Sequence, residues 1–196
     1  MKTTDGGTKT RGIDVAGAAS GEDVSGTILG VDIGGTKIAV APVDATGTLA
    51  APPVVRPSGG WEVDTETFVS SLIAVLREAK TVFAEHNPQA IGLACAGTVD
   101  PVRGVVVVSP NLPLHHTPLA HEVEQALKLP VVLENDANAA VLAEAVAGAA
   151  KGKRQVVMLA LGTGVGGGLF LDGRVYHGAG GGAGELGHTI VRAGGE

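Results

Sequence analysis

The chain has 196 residues, and 44% of them are hydrophobic, which favours an α/β domain with covered sheets over a disordered chain. Its formal net charge of -6 gives no reason to expect a nucleic acid or an anionic membrane as a partner. A single cysteine, Cys95, excludes an intrachain disulfide and a multi-cysteine metal site within these residues.

Residues 1–26 are mostly small and polar, and they contain no apolar stretch of the length that a signal peptide or a membrane span needs. We predict a disordered leader here, in a cytoplasmic protein without a membrane partner.

Two glycine-rich segments each join a pair of strand-like runs. The first, DIGGTK, occupies 32–37, and an altered copy, LGTGVGGG, occupies 161–168. Because glycine has no Cβ and takes positive φ freely, such a backbone can bring several N–H groups close to phosphate oxygens. The repeat therefore predicts two phosphate-binding hairpins and a nucleotide-dependent phosphotransferase. The flanking strands are predicted at 28–31, 38–43, 156–161 and 168–171.

The first hairpin carries a charged pair that the second lacks. Asp32 is a carboxylate able to hold Mg²⁺ or its water, and Lys37 is a cation able to meet phosphate. Neither segment has P-loop spacing, and both run into strands rather than into the helix of a dinucleotide-binding turn.

Helical and strand-like patterns alternate after the first hairpin. Apolar residues at 65–85 recur at intervals of three and four, which predicts an amphipathic helix. The order of elements predicts a mixed sheet covered by helices, with an N-terminal lobe at 27–134 and the start of a second lobe at 135–196. We expect the ligand cleft between them. Further helices are predicted at 119–128 and 137–149, and strands at 90–95, 104–108 and 131–133.

The run Glu134-Asn135-Asp136 follows an apolar strand and opens a predicted helix. Ligands of open α/β sheets bind at the carboxyl ends of strands, so these side chains are candidates for catalysis. Asn135 or Asp136 could instead only cap the helix, and the spacing alone leaves both interpretations open.

Two further segments could face the same cleft. A glycine-rich loop at 178–188 ends in Glu185 and His188, which point the same way if they span one helical turn. The alternative is a flexible loop with a solvated Glu and a hydrogen-bonded His. Asn111 lies in a Pro-Asn turn, and its amide can both donate to and accept from a pair of sugar hydroxyls.

Taken together, these segments resemble the ROK family of bacterial sugar kinases, within the actin-like ATPase and hexokinase superfamily with its ribonuclease H-like fold. The resemblance covers 27–191 in consistent order. It rests on DIGGTK, CAGTVDPVRGVVVVSPNL at 95–112, ENDANAA at 134–140, LGTGVGGG and GAGELGH at 182–188.

The resemblance implies ATP-dependent phosphorylation of a hexose hydroxyl, by default glucose to glucose 6-phosphate, with Asp136 as the general base. It also implies a sugar-binding set and a set for ATP and Mg²⁺, in which Asp32 would hold the metal. The sugar-binding residues would be Gly97, Asn111, Asn135, Glu185 and His188. The nucleotide residues would be Asp32, Gly34, Gly35, Thr36, Lys37, Gly162, Thr163, Gly164 and Gly166.

Two departures from the family pattern stand out. Family members usually carry an aromatic residue shortly after Pro-Asn-Leu, where this chain has His115. They also continue beyond the position of Glu196 into Cys-x-Cys-Gly-x-x-Gly-Cys, whose cysteines hold a structural zinc with the residue matching His188. We therefore expect an incomplete second lobe and a zinc site without its three thiolates. We also expect a homodimer for the full-length form.

Three alternatives stay open at this point: a ROK-type sugar-responsive transcriptional regulator, a non-catalytic sugar-binding fragment and a polyphosphate-dependent kinase. A regulator would add a winged helix-turn-helix, for which the 26 residues before the first predicted strand are too few. The motifs leave the sugar undetermined, because specificity rests on the shape of the pocket.

Overall fold

A computed structural model describes residues 26–162, 164–190 and 192, so the predicted leader lies outside the described residues apart from Gly26, as does Thr163. The described chain has an α/β fold. Its helices are α1 (Thr65–Val82), α2 (Leu119–Leu127) and α3 (Asp136–Val146). Its strands are β1 (Thr27–Ile33), β2 (Lys37–Val43), β3 (Val54–Pro57), β4 (Pro88–Cys95), β5 (Thr98–Asp100), β6 (Val105–Val108), β7 (His115–Thr117), β8 (Val131–Asn135), β9 (Gln155–Leu161), β10 (Val165–Leu171) and β11 (Arg174–Val175).

The largest sheet has five strands in the order β3-β2-β1-β4-β8. β1 pairs antiparallel with β2 and parallel with β4, and β4 pairs parallel with β8. In β1 the buried residues Leu29, Val31 and Ile33 alternate with more exposed ones, because successive side chains of a strand point to opposite faces. The predicted mixed sheet is therefore confirmed.

Helix α1 packs into the same core as this sheet. Asp64 caps its first turn by accepting the Thr67 N–H at 2.7 Å, and Phe68, Leu72 and Leu76 are buried on its apolar side. The helix ends at Val82 rather than at 85 as predicted, since a short 3₁₀ turn, Ala84–His86, leads the chain toward β4.

A second sheet has the order β11-β10-β9 and packs against α3. The contact is close because β10 contains glycine: a Cβ on Gly168 would lie 2.8 Å from the Ala137 carbonyl oxygen. Val141, Ala145 and Phe170 form the small apolar cluster between helix and sheet. The third sheet, β5-β6-β7, is a short antiparallel one.

The structure corrects several predicted boundaries. The third helix ends at Val146 rather than 149, because the Glu144 carboxylate accepts the Ala149 N–H at 2.8 Å and the chain turns there. The last hairpin strand begins at Val165 rather than 168, since Val165 pairs with Leu161 directly across a short turn. The short strands β3, β5, β7 and β11 were not predicted, and their few residues are too short for a clear period. Among the described residues no helix is long and apolar enough to cross a membrane.

Candidate functional site

Three parallel strands end together at one edge of the large sheet. Ile33 of β1 pairs with Cys95 of β4, and Cys95 pairs with Asn135 of β8. The register therefore places the first hairpin turn, the turn at Gly97 and Asp136 side by side. This edge is where ligands of open α/β sheets bind.

The first hairpin turn lies next to Asn111. The Gly34 N–H donates to the Lys37 carbonyl oxygen at 3.0 Å, and Thr36 and Lys37 are exposed. Neither Gly34 nor Gly35 has a φ in the left-handed region. Gly35 is needed for a different reason, since a Cβ there would lie 3.0 Å from the Asn111 Cβ. The structure therefore explains Gly35 by close packing against Asn111, and the approach of this backbone to phosphate stays a prediction.

The turn after β4 depends on Gly97. Its φ is 117°, and a Cβ would lie 2.4 Å from the Val108 carbonyl oxygen. The Gly97 carbonyl oxygen accepts a hydrogen bond from Asn135 Nδ2 at 3.0 Å. This bond ties the turn after β4 to the end of β8, and so brings two predicted sugar-binding residues together.

Asn135 caps helix α3, and Asp136 does not. Asn135 Oδ1 accepts the Asn138 N–H at 3.0 Å, which is the N-cap hydrogen bond. Asp136 is exposed, and its Oδ1 accepts from Asn135 Nδ2 at 3.0 Å and from the Ala137 N–H at 2.9 Å. Capping therefore accounts for Asn135 and leaves the Asp136 carboxylate facing solvent at the sheet edge.

Two carboxylates share this edge. Removal from water raises the pKa of Asp32 above its ordinary value of 3.8, the charge of Asp136 raises it further, and Lys37 acts in the opposite direction. Below them Cys95 is buried, and burial together with the two carboxylates raises the pKa of its thiol to about 12. The repulsion on Asp32 marks a place where a cation would be favourable.

An open groove of about 510 Å³ adjoins this edge. Three predicted sugar-binding residues, Gly97, Glu185 and His188, line it. Glu185 begins a 3₁₀ turn, Leu186–His188, and its Oε2 lies 3.8 Å from His188 Nε2. Of the two interpretations that the sequence left open, the structure shows a turn, which is 3₁₀ rather than α. The other lining residues are Thr98, Val108 and Pro110.

The glycines of the second hairpin serve two purposes. Gly162 and Gly164 are exposed, the Gly162 N–H donates to the Gly164 carbonyl oxygen at 2.9 Å, and a Cβ on either would meet no described atom within 4 Å. In contrast, a Cβ on Gly166 would lie 3.7 Å from Ala137 Cβ, and a Cβ on Gly167 would lie 2.4 Å from the Gly184 carbonyl oxygen. Among the described residues of this hairpin, the backbone at Gly162 and Gly164 is therefore open, whereas Gly167 is covered by the loop at Gly184.

Sequence reasoning did not single out the pair Glu134 and His177. His177 Nε2 lies 2.7 Å from Glu134 Oε2, although 43 residues separate them. Glu134 belongs to the ENDANAA motif, but no local pattern around His177 indicates a partner so far along the chain. Thr98 also lines the groove and was not predicted, although it directly follows Gly97.

The metal predictions differ in how well the described residues fit them. Within residues 26–162, 164–190 and 192, no group of three His, Cys, Asp or Glu side chains is placed to hold a metal ion. His188 is exposed and has Glu185 beside it, so these residues do not form a zinc site. Mg²⁺ needs fewer protein ligands, because waters and substrate phosphates complete its shell, and Asp32 fits that requirement.

The mixed sheet, its ligand edge and the two glycine hairpins define the actin-like ATPase and hexokinase fold. The chain belongs to the ROK family, whose family model matches residues 28–196. It is 39% identical over 151 residues to a glucokinase of Streptomyces coelicolor, a match that covers 74% of this chain and 48% of that protein. The chain thus spans about half the length of the curated relatives it matches.

Solved structures agree with this assignment. A ROK family glucokinase from Streptomyces griseus, in complex with glucose and AMPPNP, matches with a TM-score of 0.76 and 39% identity, over 87% of this chain and 52% of that one. A ROK family transcriptional regulator, a homologue of the E. coli MLC protein, matches with a TM-score of 0.79 and 26% identity, over 89% of this chain and 44% of that one. The predicted family and fold class are confirmed.

Proposed function

We propose that this chain contributes the sugar site and the first phosphate hairpin of a kinase that transfers phosphate from ATP to a hexose hydroxyl, with glucose as the first candidate. The observation that carries the proposal is the sheet edge where Asp32 and Asp136 meet beside the groove. The glucokinase relatives support a sugar kinase, and the Streptomyces griseus complex supports glucose and an ATP analogue as the ligands to test first.

Asp136 is proposed as the general base. Both hydrogen bonds that the described residues give its carboxylate reach Oδ1, so Oδ2 is left to accept the proton of a sugar hydroxyl. Asn135 Nδ2 donates both to Asp136 Oδ1 and to the Gly97 carbonyl oxygen. These two hydrogen bonds fix the Asp136 carboxylate relative to the groove. A base in phosphoryl transfer mainly orients and deprotonates the attacking hydroxyl, so one positioned carboxylate suffices.

The nucleotide side is proposed to be formed by the two hairpins. Asp32 would hold Mg²⁺, which neutralises phosphate charge when it is bound, and Lys37 is exposed beside it to contact a phosphate. Gly34, Gly35 and Thr36 line the turn, while Gly162 and Gly164 form the open tip of the second hairpin. Thr163 is proposed from sequence alone. Gly166 stays in the proposed set from sequence; a Cβ there would be in ordinary van der Waals contact with Ala137.

The sugar side is proposed to be formed by Glu185 and His188 at the groove, with Asn135 behind it and Asn111 between the groove and the first hairpin. Carboxylate, imidazole and amide groups supply both acceptors and donors for sugar hydroxyls. The division into lobes at 134 and 135, and the homodimer of the full-length form, remain proposals.

The replacement Asp136→Asn tests the proposal. The amide keeps the shape of the carboxylate but cannot accept a proton, so kcat should fall by about 10²–10⁴-fold while the sugar affinity changes only a few-fold. ADP release across a panel of sugars measures the first quantity, and isothermal titration measures the second. Glu124→Gln, which changes an exposed carboxylate on α2, is the matched control. Full activity in Asp136→Asn would reduce Asp136 to a structural residue.

A sugar-responsive regulator is the second candidate, because the regulator homologue matches with a TM-score of 0.79. The two functions separate in one experiment. A kinase releases ADP in a sugar-dependent manner, whereas a regulator or a non-catalytic sugar-binding protein binds the sugar without ADP release. Polyphosphate in place of ATP in the same assay tests the donor, and sugar-sensitive binding to an operator would support the regulator.

A further inference from the structure

We propose that Glu134 and His177 form a positioning pair that holds the loop at 178–188 against the corner of the sheet carrying Asn135 and Asp136. The proposal deepens the proposed function and rests on it for its consequence in sugar binding. The contact itself is a feature of the fold: His177 Nε2 and Glu134 Oε2 are 2.7 Å apart, and both side chains are partly buried.

Glu134 distributes its two oxygens between two parts of the molecule. Oε1 accepts the Asn135 N–H at 2.8 Å and Asn138 Nδ2 at 3.2 Å, both at the start of α3. Oε2 faces His177. One carboxylate therefore joins the N-terminus of α3, where Asp136 lies, to the segment that follows β11. Hydrogen bonds to a carboxylate are stronger than those between neutral groups, so the contacts of Glu134 hold these two segments together.

His177 closes the base of the loop from the other side. Its carbonyl oxygen accepts the Ala183 N–H at 3.1 Å, and this hydrogen bond closes the loop formed by residues 178–182. The next residue, Gly184, lies against the backbone of Gly167, and Glu185 then enters the groove. The side chain of His177 contacts Glu134 of β8, and its carbonyl oxygen accepts the Ala183 N–H. These two contacts fix the position of the segment that carries Glu185 and His188.

Asn138, the other side chain that Glu134 contacts, cannot replace His177 if the imidazole is removed. Asn138 is buried, and among the described residues its Oδ1 has no hydrogen-bond partner, while its Nδ2 is already bound to Glu134. Removing the imidazole would leave Glu134 Oε2 without its partner in a partly buried place, and the loop would lose its anchor. The expected effect falls on the sugar side of the site, because Glu185 and His188 are on this loop.

The test compares His177→Ala, His177→Gln, Glu134→Gln and the double variant Glu134→Gln/His177→Ala, with His121→Ala on the exposed side of α2 as control. Hydrogen exchange of residues 178–188 is measured without ligands. We expect faster exchange in each single variant, less in His177→Gln because its amide can still donate, and no further increase in the double variant. Unchanged exchange in His177→Ala, or additive increases in the double variant, would overturn the proposal.

Kinetics then separate positioning from general loss of structure. His177→Ala should raise the sugar KM by about tenfold and the Mg-ATP KM much less, because the loop carries Glu185 and His188, whereas it meets the second hairpin through backbone packing such as that of Gly184 on Gly167. Equal increases in both KM values, with a lowered unfolding temperature, would show a structural role only and would overturn the proposal. A wild-type protein that phosphorylates no sugar contradicts the proposed function instead, and the exchange measurement still decides the pair.

Discussion

At the scale of single residues, the sheet edge brings like charges together. Asp32 and Asp136 come from β1 and from the start of α3, and the register of three strands makes them neighbours. Removal from water is the largest cause that raises the pKa of Asp32, the charge of Asp136 raises it further, and Lys37 offsets only part of that increase. Such an arrangement costs folding free energy in the absence of a cation, which is the usual trade of stability for function at a site.

Asp32→Asn should therefore increase the free energy of unfolding at pH 7. The folded-state pKa lies above 3.8, so the folded protein holds a proton more tightly than the unfolded chain, and stability falls as the pH rises from 3.8 through the raised value. Asn removes this penalty, and the gain should vanish below about pH 3.8. Urea unfolding at several pH values measures it. Equal stability of the two proteins at pH 7 would contradict the prediction.

At the scale of elements, the turns shape the site together with the strand register. The turn between β4 and β5 passes so close to β6 that a side chain at Gly97 would meet the Val108 carbonyl oxygen. The same turn supplies the carbonyl oxygen that holds Asn135. A short backbone segment thus controls both the packing of the third sheet and the position of the proposed base.

Gly97→Ala should lower the free energy of unfolding by about 3 kcal/mol or more, because left-handed strain adds to overpacking. Gly152→Ala is the matched control, since Gly152 also has a positive φ, 78°, but a Cβ there would meet no described atom within 4 Å. It should lose only about 1 kcal/mol. Chemical denaturation of both variants measures the difference, and similar losses would show that the close contact is unimportant.

The sequence predicts the long elements of this fold well and its long-range contacts poorly. Helix α1 has eighteen residues with a clear apolar period, so it was predicted to within a few residues. Strands of two to four residues carry no period that can be measured, and β3, β5, β7 and β11 were missed. Asn135 and Asp136 lie in one motif, so the sequence predicts them together, and their side chains are hydrogen-bonded. The contact of Glu134 with His177 depends on a chain reversal that no local pattern encodes.

At the scale of the whole molecule, the described chain has two apolar cores of unequal size. The larger contains residues of the five-stranded sheet, α1 and α2, and the smaller contains Val141, Ala145 and Phe170. Strand β9 packs Val156 and Met158 against the smaller core, whereas Val157, Leu159 and Leu161 on its other face are exposed. Regions with few buried apolar contacts open at lower free energy, so the two parts should differ in local stability.

Phe170→Ala should raise hydrogen exchange in α3 and β9–β11 and leave β1 and β4 nearly unchanged. The side chain is buried in the smaller core, and its truncation removes up to about 3–5 kcal/mol of packing there. Leu72→Ala, in the larger core, is the comparison and should raise exchange in the five-stranded sheet. Native-state exchange read by mass spectrometry distinguishes the two patterns. Identical patterns would indicate one cooperative unit.

The buried thiol of Cys95 beneath the two carboxylates is a chemical probe of local opening at the sheet edge. Thiolates react and thiols do not, and with a pKa of about 12 Cys95 holds almost no thiolate while the sheet edge is closed. Its alkylation rate at pH 8 should therefore report how often that edge opens, with a single labelled position because the sequence has one cysteine. A ligand that binds at the edge should lower the alkylation rate of Cys95. Labelling as fast as that of a free thiol would show that the edge is open.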